Sequence, residues 1–153
     1  SIAEVGCGFG RIGERISGRA GVRWVGADLS RDQLVEARGR SAPIRPRLLE
    51  ASATALPFRD SSADLVLAVE VLMHIPPEQI KSALAELWRV SRRYILHIDW
   101  FEDYLIGYGT AWSWVHDYTT LWQSFGARPD VSRLRASGLQ RAFLVTKPAT
   151  GSH

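Results

Sequence analysis

The residues best equipped for chemistry stand at two points within the first thirty positions. Glu4 leads into Gly6-Cys7-Gly8-Phe9-Gly10, and Asp28 follows about twenty residues on. Glycines at alternating positions let a backbone turn sharply, and let a ligand reach amide groups that a Cβ would shield. An ionised acid at the end of the next strand accepts two hydrogen bonds, which suits a ribose diol. Glu4 is poorly suited to a neighbouring pyrophosphate and well suited to an amino group, since like charges repel at short range. These residues outline half of a nucleoside site. Gly8-Phe9-Gly10-Arg11-Ile12-Gly13 also satisfies the dinucleotide pattern G-x-G-x-x-G. The segment alone therefore leaves nicotinamide and other adenosyl cofactors open.

Further along, His74, His97 and Asp99 are residues able to hold or move a proton. His74 reads either as a base or substrate ligand, or as a tie between a loop and the following helix. His97 lies inside an apolar strand, where period-two alternation points it into the core. Asp99 ends that strand, and open α/β sheets bind ligands beyond the carboxyl ends of their strands. Asp99 and Trp100 are therefore expected to border a substrate site. Asp117 reads as a first-turn helix acid favoured by the helix dipole. Trp100 to Trp122 holds four of the six tryptophans, with Phe101, Tyr104, Tyr108 and Tyr118 interleaved. Such a segment stacks on a planar substrate, or fills the core, or meets a second copy or partner chain. His74, His97 and His116 are too dispersed for a metal motif, and no metal is expected.

These residues need a scaffold, and the hydrophobic pattern supplies an alternation of strand and helix. Strands are expected at Ile2–Val5, Val22–Ala27, Arg45–Glu50, Leu65–Val69 and Tyr94–Ile98. Two more, at Val131–Leu134 and Ala142–Thr146, flank a turn at Ser137-Gly138. Helices are expected at Arg11–Ser17, from the cap Ser30 through Arg38, from Pro76-Pro77 onward, and over His116–Phe125. In the third of these, Ile80, Leu84, Leu87 and Trp88 share an apolar face. Leu65–Val69 is apolar throughout, as in a central strand buried on both faces.

Three segments together resemble one family. Glu4-Val5-Gly6-Cys7-Gly8-Phe9-Gly10 resembles the first motif of class I S-adenosylmethionine-dependent methyltransferases, in particular the methyltransferase-11/25-like domains. Ala53-Thr54-Ala55-Leu56-Pro57-Phe58-Arg59-Asp60-Ser61-Ser62-Ala63-Asp64-Leu65-Val66 is similar to the family's A-x-x-L-P-F-x-D-x-S-F-D-x-V segment, with Ala63 where an aromatic is usual. Val71-Leu72-Met73-His74-Ile75 is similar to its V-L-x-H-I stretch. The likeness spans roughly residues 1–100. It implies a Rossmann-like α/β fold, a seven-stranded mostly parallel sheet with helices on both faces and an antiparallel last strand.

The resemblance also implies roles. Glu4, Gly6, Cys7, Gly8 and Gly10 would frame the methionyl end of S-adenosyl-L-methionine, Asp28 the ribose, and Leu29 the adenine face. Ser52 stands where an aspartate usually contacts the adenine amino group, so adenine recognition would lean on the Ala53 backbone and on packing. Glu70 would face the methionyl group and the active-site mouth. Glu70, Asp99 and His74 are the candidate catalytic residues. The implied reaction moves a methyl group to oxygen or nitrogen of a small-molecule acceptor and leaves S-adenosyl-L-homocysteine. A nicotinamide-dependent oxidoreductase shares only the opening segment and should lack the Leu56-Pro57-Phe58 and Val71–Ile75 stretches. A non-catalytic adenosyl-binding or scaffolding domain is the other alternative, suggested by Ser52. Residues 1–150 read as one domain lacking the helices that the family commonly sets before the first strand, and 151–153 as a tail.

Composition excludes several other classes. A chain of 153 residues with 46% apolar and 23% charged positions is neither disordered nor membrane-like. No apolar run approaches the ~20 residues of a membrane span. Cys7 is the sole cysteine, so no intrachain disulfide forms, and a cytoplasmic enzyme is expected. All 19 basic residues except Lys81 and Lys147 are arginines, the net charge is +3, and only Arg92-Arg93 are adjacent. That scatter forms no nucleic-acid stripe.

Overall fold

The computed structural model describes residues 1–16, 18–40, 47–101, 105–107, 109–134 and 139–148. Seven strands form one sheet: β1 (Ile2–Val5), β2 (Trp24–Asp28), β3 (Arg47–Glu50), β4 (Ala63–Val69), β5 (Ser91–Trp100), β6 (Asp130–Arg133) and β7 (Gln140–Thr146). Their order is β3-β2-β1-β4-β5-β7-β6. The pairs from β3 through β5 are parallel, and β7 runs antiparallel to both β5 and β6. The strand order runs outward from β1 to β3 on one side and restarts at β4 on the other, so the carboxyl ends of β1 and β4 lie together at the switch point.

Among the described residues four α-helices cover the sheet: α1 (Arg11–Ile16), α2 (Arg31–Arg40), α3 (Ile80–Val90) and α4 (Tyr118–Gln123). Alternation along β1 explains the two layers. Ala3 and Val5 face a large core shared with α3 and α4, built on Val66, Leu84, Leu87, Ile95, Trp122 and Phe143. Ile2 faces a smaller core under α1 and α2, made of Cys7, Trp24, Leu34, Ala37 and Leu48. Burial in α3 falls on Ile80, Ala83, Leu84, Leu87 and Val90, the spacing of one helical face.

Each expected strand overlaps one of the seven, but ends shift: β2 starts at Trp24 rather than Val22, and β5 extends to Ser91–Trp100. Arg45 and Ser17, expected as a strand start and a helix end, lie outside the described residues. Several helix ends also move. α3 begins at Ile80 rather than at Pro76-Pro77, because the Pro76 carbonyl accepts from the amides of Gln79 and Ile80 and closes a turn first. A 3-10 turn, Leu72–His74, precedes it. α4 is shorter than expected, with Asp117 as its cap: Asp117 Oδ1 accepts from the Thr120 amide at 3.0 Å. The expected turn at Ser137-Gly138, Tyr104, Tyr108 and the 151–153 tail lie outside the described residues.

Candidate active site

β1 ends in a turn that only glycines make easily. Gly6, Gly8 and Gly10 have φ of 68°, 52° and 82°, the left-handed region. The Ala27 carbonyl at the end of β2 accepts from the amides of Gly6 (2.7 Å) and Cys7 (3.0 Å), which pins the turn to its neighbour. A side chain on Gly6 would collide with Val71, so this glycine also admits the loop after β4. Beside the turn, Asp28 Oδ2 accepts from the Gly8 amide at 2.7 Å and Oδ1 from the Ser30 amide at 2.8 Å. Each oxygen keeps a second lone pair for a ligand hydroxyl.

Two cavities meet at Gly6 and Asp28. One, of about 360 Å³, is lined by Asp28, Leu29, Ser52, Ala53, Glu70, Val71 and His74 among others. The other, of about 310 Å³, lies under the glycine turn and includes Glu4, Cys7, Gly8, Phe9 and Arg11. A larger groove of about 900 Å³ opens at the amino ends of β1, β2 and β3. That is the opposite end of the strands from where such sheets bind ligands. The pair at the carboxyl ends is therefore the candidate site. Leu29 stands at its lip, 73% exposed, an apolar surface ready for a flat ring. The trough, the spare acceptors of Asp28 and the open glycine turn fit an adenosyl group with an amino-acid tail.

The remaining expected residues divide. Ser52 lines the trough, but its hydroxyl already bonds the Thr54 hydroxyl (2.8 Å) and amide (3.2 Å). Glu70 is exposed on the rim in a left-handed conformation, φ 57°. For a residue with a Cβ this is strained and typical of functional loops. The Gln140 amide group donates to Glu70 Oε1, and the Ile98 carbonyl accepts from the Glu70 amide. His74 Nδ1 lies 2.7 Å from the Trp112 carbonyl. A carbonyl only accepts, so Nδ1 carries the proton and Nε2 is the basic lone pair. Cys7 is buried beneath the turn, where burial, Glu4 and Asp28 push its thiol up to about 12, which leaves it neutral.

Asp99 corrects the sequence reading, which sets Asp99 and Trp100 at the border of a substrate site. Asp99 is wholly buried and does not open onto the cavities, whereas Trp100 is exposed. The Trp122 indole donates to His97 Nε2 at 3.0 Å, so His97 Nδ1 carries the proton and donates to Asp99 Oδ2 at 2.9 Å. Asp99 Oδ1 accepts from the Met73 amide at 3.1 Å. Asp99 thus reaches the site only through the turn that bears His74. Much of the aromatic segment is core as well: Phe101, Tyr118 and Trp122 are buried, while Trp100 and Trp112 remain exposed. His116 is also buried and donates Nε2–H to the Ile75 carbonyl, and burial lowers its pKa.

The sequence reading missed Trp24, Val71 and Gln140. Trp24 donates its indole N–H to Glu4 Oε2 at 2.8 Å. A side chain on Gly13 or Gly26 would collide with its ring. Two glycines facing one tryptophan were the available signal. The third glycine of the apparent dinucleotide pattern therefore serves ring packing.

Residues 2–93 match the family model described as a methyltransferase domain. The chain belongs to that family, the class I S-adenosylmethionine-dependent methyltransferases. It is 33% identical over 100 residues to the methyltransferase GfsG of Streptomyces halstedii, 60% of this chain and 35% of GfsG. The O-methyltransferase resE of Aspergillus sclerotiorum is 33% identical over 95 residues, again 60% of this chain and 35% of resE. These alignments take in about a third of the relatives' own length. The fold is similar to magnesium protoporphyrin IX methyltransferase of Synechocystis PCC 6803, solved with bound SAH, with TM-score 0.75 and 17% identity. That superposition covers 96% of this chain and 74% of the cyanobacterial one. No helix among the described residues is long and apolar enough to cross a membrane.

Proposed function

We propose that this domain transfers a methyl group from S-adenosylmethionine to an oxygen or nitrogen of a small-molecule acceptor. The observation that carries the reading is the junction of two cavities at Gly6 and Asp28, with Glu70 and His74 on one rim. When bound, the cofactor supplies a methyl group already activated by a positive sulfonium. This chain's residues then have three tasks. Asp28 holds the ribose hydroxyls, with Leu29 and the Ala53 backbone along the adenine. Glu4 and the glycine turn receive the amino-acid tail. On the rim, Glu70 and Trp100 border the acceptor, and His74 Nε2 takes the proton that an attacking hydroxyl gives up. Alignment of nucleophile and methyl supplies most of the rate, and a base adds about 100- to 10,000-fold. The name of the relative resE, an O-methyltransferase, favours a hydroxyl.

The test is calorimetry with S-adenosylhomocysteine, followed by label transfer to a panel of small phenols, alcohols and amines. Asp28→Ala should weaken binding roughly ten- to a hundredfold, the worth of a charge-assisted hydrogen bond. His74→Gln should bind equally well and turn over at least tenfold more slowly. Tighter binding of a nicotinamide dinucleotide would overturn the reading. Tight S-adenosylhomocysteine binding without transfer to any acceptor would favour a binding or scaffolding role instead.

A further inference from the structure

Glu4 is an acid in a place that disfavours its charge. It is 3% exposed, on the β1 face that packs under α1 and α2. Three elements meet its carboxyl. From β2, the Trp24 indole donates at 2.8 Å and Asp28 contributes a like charge. From α1 come the charge of Arg11 and a backbone hydrogen bond from Gly13. From the turn comes the neutral Cys7 thiol. Glu4, Arg11, Cys7 and Asp28 all line the cavity under the glycine turn. The indole is fixed, because its ring fills the space left at Gly13 and Gly26.

We propose that Trp24 is a positioning residue for cofactor binding: its indole N–H holds the Glu4 carboxylate charged against the cavity that takes the cofactor's ammonium group. The inference rests on that cavity receiving the amino-acid tail. Burial pushes the Glu4 carboxyl up to about 7, and the Trp24 hydrogen bond, Arg11 and Gly13 restrain the rise. An ammonium group beside Glu4 favours the ionised form, so binding releases a proton where Glu4 is still protonated in the free protein. Affinity therefore rises as pH rises through about 7. Without the indole donor the carboxyl ionises later, and the same rise moves to higher pH.

The experiment is calorimetry of S-adenosylhomocysteine with the whole chain from pH 6 to 9, in two buffers of different ionisation enthalpy. The proteins are wild type, Trp24→Phe, Glu4→Gln and the double variant. Wild type should bind more tightly as pH rises from 6 towards 8, below the range where the ligand's own ammonium loses its proton, and release up to one proton. Trp24→Phe should bind roughly tenfold more weakly at pH 7, the worth of one hydrogen bond to a charged group. It should recover towards wild type at pH 9, its rise displaced upward by about one pH. Glu4→Gln should lose the pH dependence, and Trp24→Phe should add little to it, as expected of residues acting through one another. A purely structural Trp24 would weaken binding equally at every pH and additively with Glu4→Gln, which would overturn the proposal. If Trp24→Phe does not fold, Glu4→Gln decides alone, and an unchanged pH dependence there refutes it. Absence of S-adenosylhomocysteine binding by wild type at every pH would instead defeat the cofactor reading beneath it.

Discussion

At the scale of single residues, Glu4 carries a cost that the ligand-free fold must bear. Its carboxyl titrates near 4.5 when solvated and at about 7 here. Between those values the folded chain binds more protons than the unfolded one, so this group's contribution to stability falls as pH rises through that window. Fully developed, the loss is about 3 kcal/mol. Glu4→Gln should therefore melt higher than wild type at pH 8 without cofactor, and differ little at pH 5. Thermal melts at the two pH values check this, and a lower melting temperature at pH 8 would mean that the hydrogen bonds outweigh the burial. The identities of Glu4 and Asp28 as wall residues were legible because strand, turn and acid follow one another in the chain, whereas Leu29 came only from the family resemblance. Trp24's grip on Glu4 was not, since it depends on β1–β2 register, which sets Glu4 beside Gly26. Asp99 was legible in principle: the alternation that turns His97 inward also turns inward the residue two positions on.

At the scale of elements, the loop after β3 owes its shape to α3. Arg89 donates to the carbonyls of Leu56 (3.0 Å) and Phe58 (2.7 Å) and to Asp60, while Glu86 pairs with Arg89 and accepts from the Leu56 amide. That explains the Leu56-Pro57-Phe58 segment physically, as a loop whose backbone is held by a fork from the helix behind it. Arg89→Ala should cost about 2 kcal/mol by stranding partly buried carbonyls. It should also weaken S-adenosylhomocysteine, because Ser52 and Ala53 share the loop. Arg89→Lys should rescue little, lacking the planar fork. Denaturant melts and calorimetry read both effects, and a fully stable, fully binding Arg89→Ala would mean that Leu56 packing alone holds the loop. Strand centres were readable from apolar runs, whereas helix ends were not. The start of α3 depends on which amides the Pro76 carbonyl captures, a local hydrogen-bond choice with no periodic signature.

At the scale of the whole molecule, α3 and β4–β5 form the seam on which the site stands. Leu84 and Leu87 are completely buried there against Val66 and Ile95. Leu84→Ala should lower stability by about 3 kcal/mol, with S-adenosylhomocysteine affinity unchanged at temperatures where the variant is folded. Chemical denaturation checks the first part and calorimetry the second. A loss below 1 kcal/mol would show that the core relaxes into the gap. Strand β7 has a consequence of another kind. It lies between β5 and β6, and among the described residues β6 pairs with no other strand. Residues 130–133 are therefore made before the strand they pair with, and they join the sheet only through residues 140–146. During synthesis the edge of β5 stays open, a surface for wrong strand pairing that closes only when 140–146 arrive.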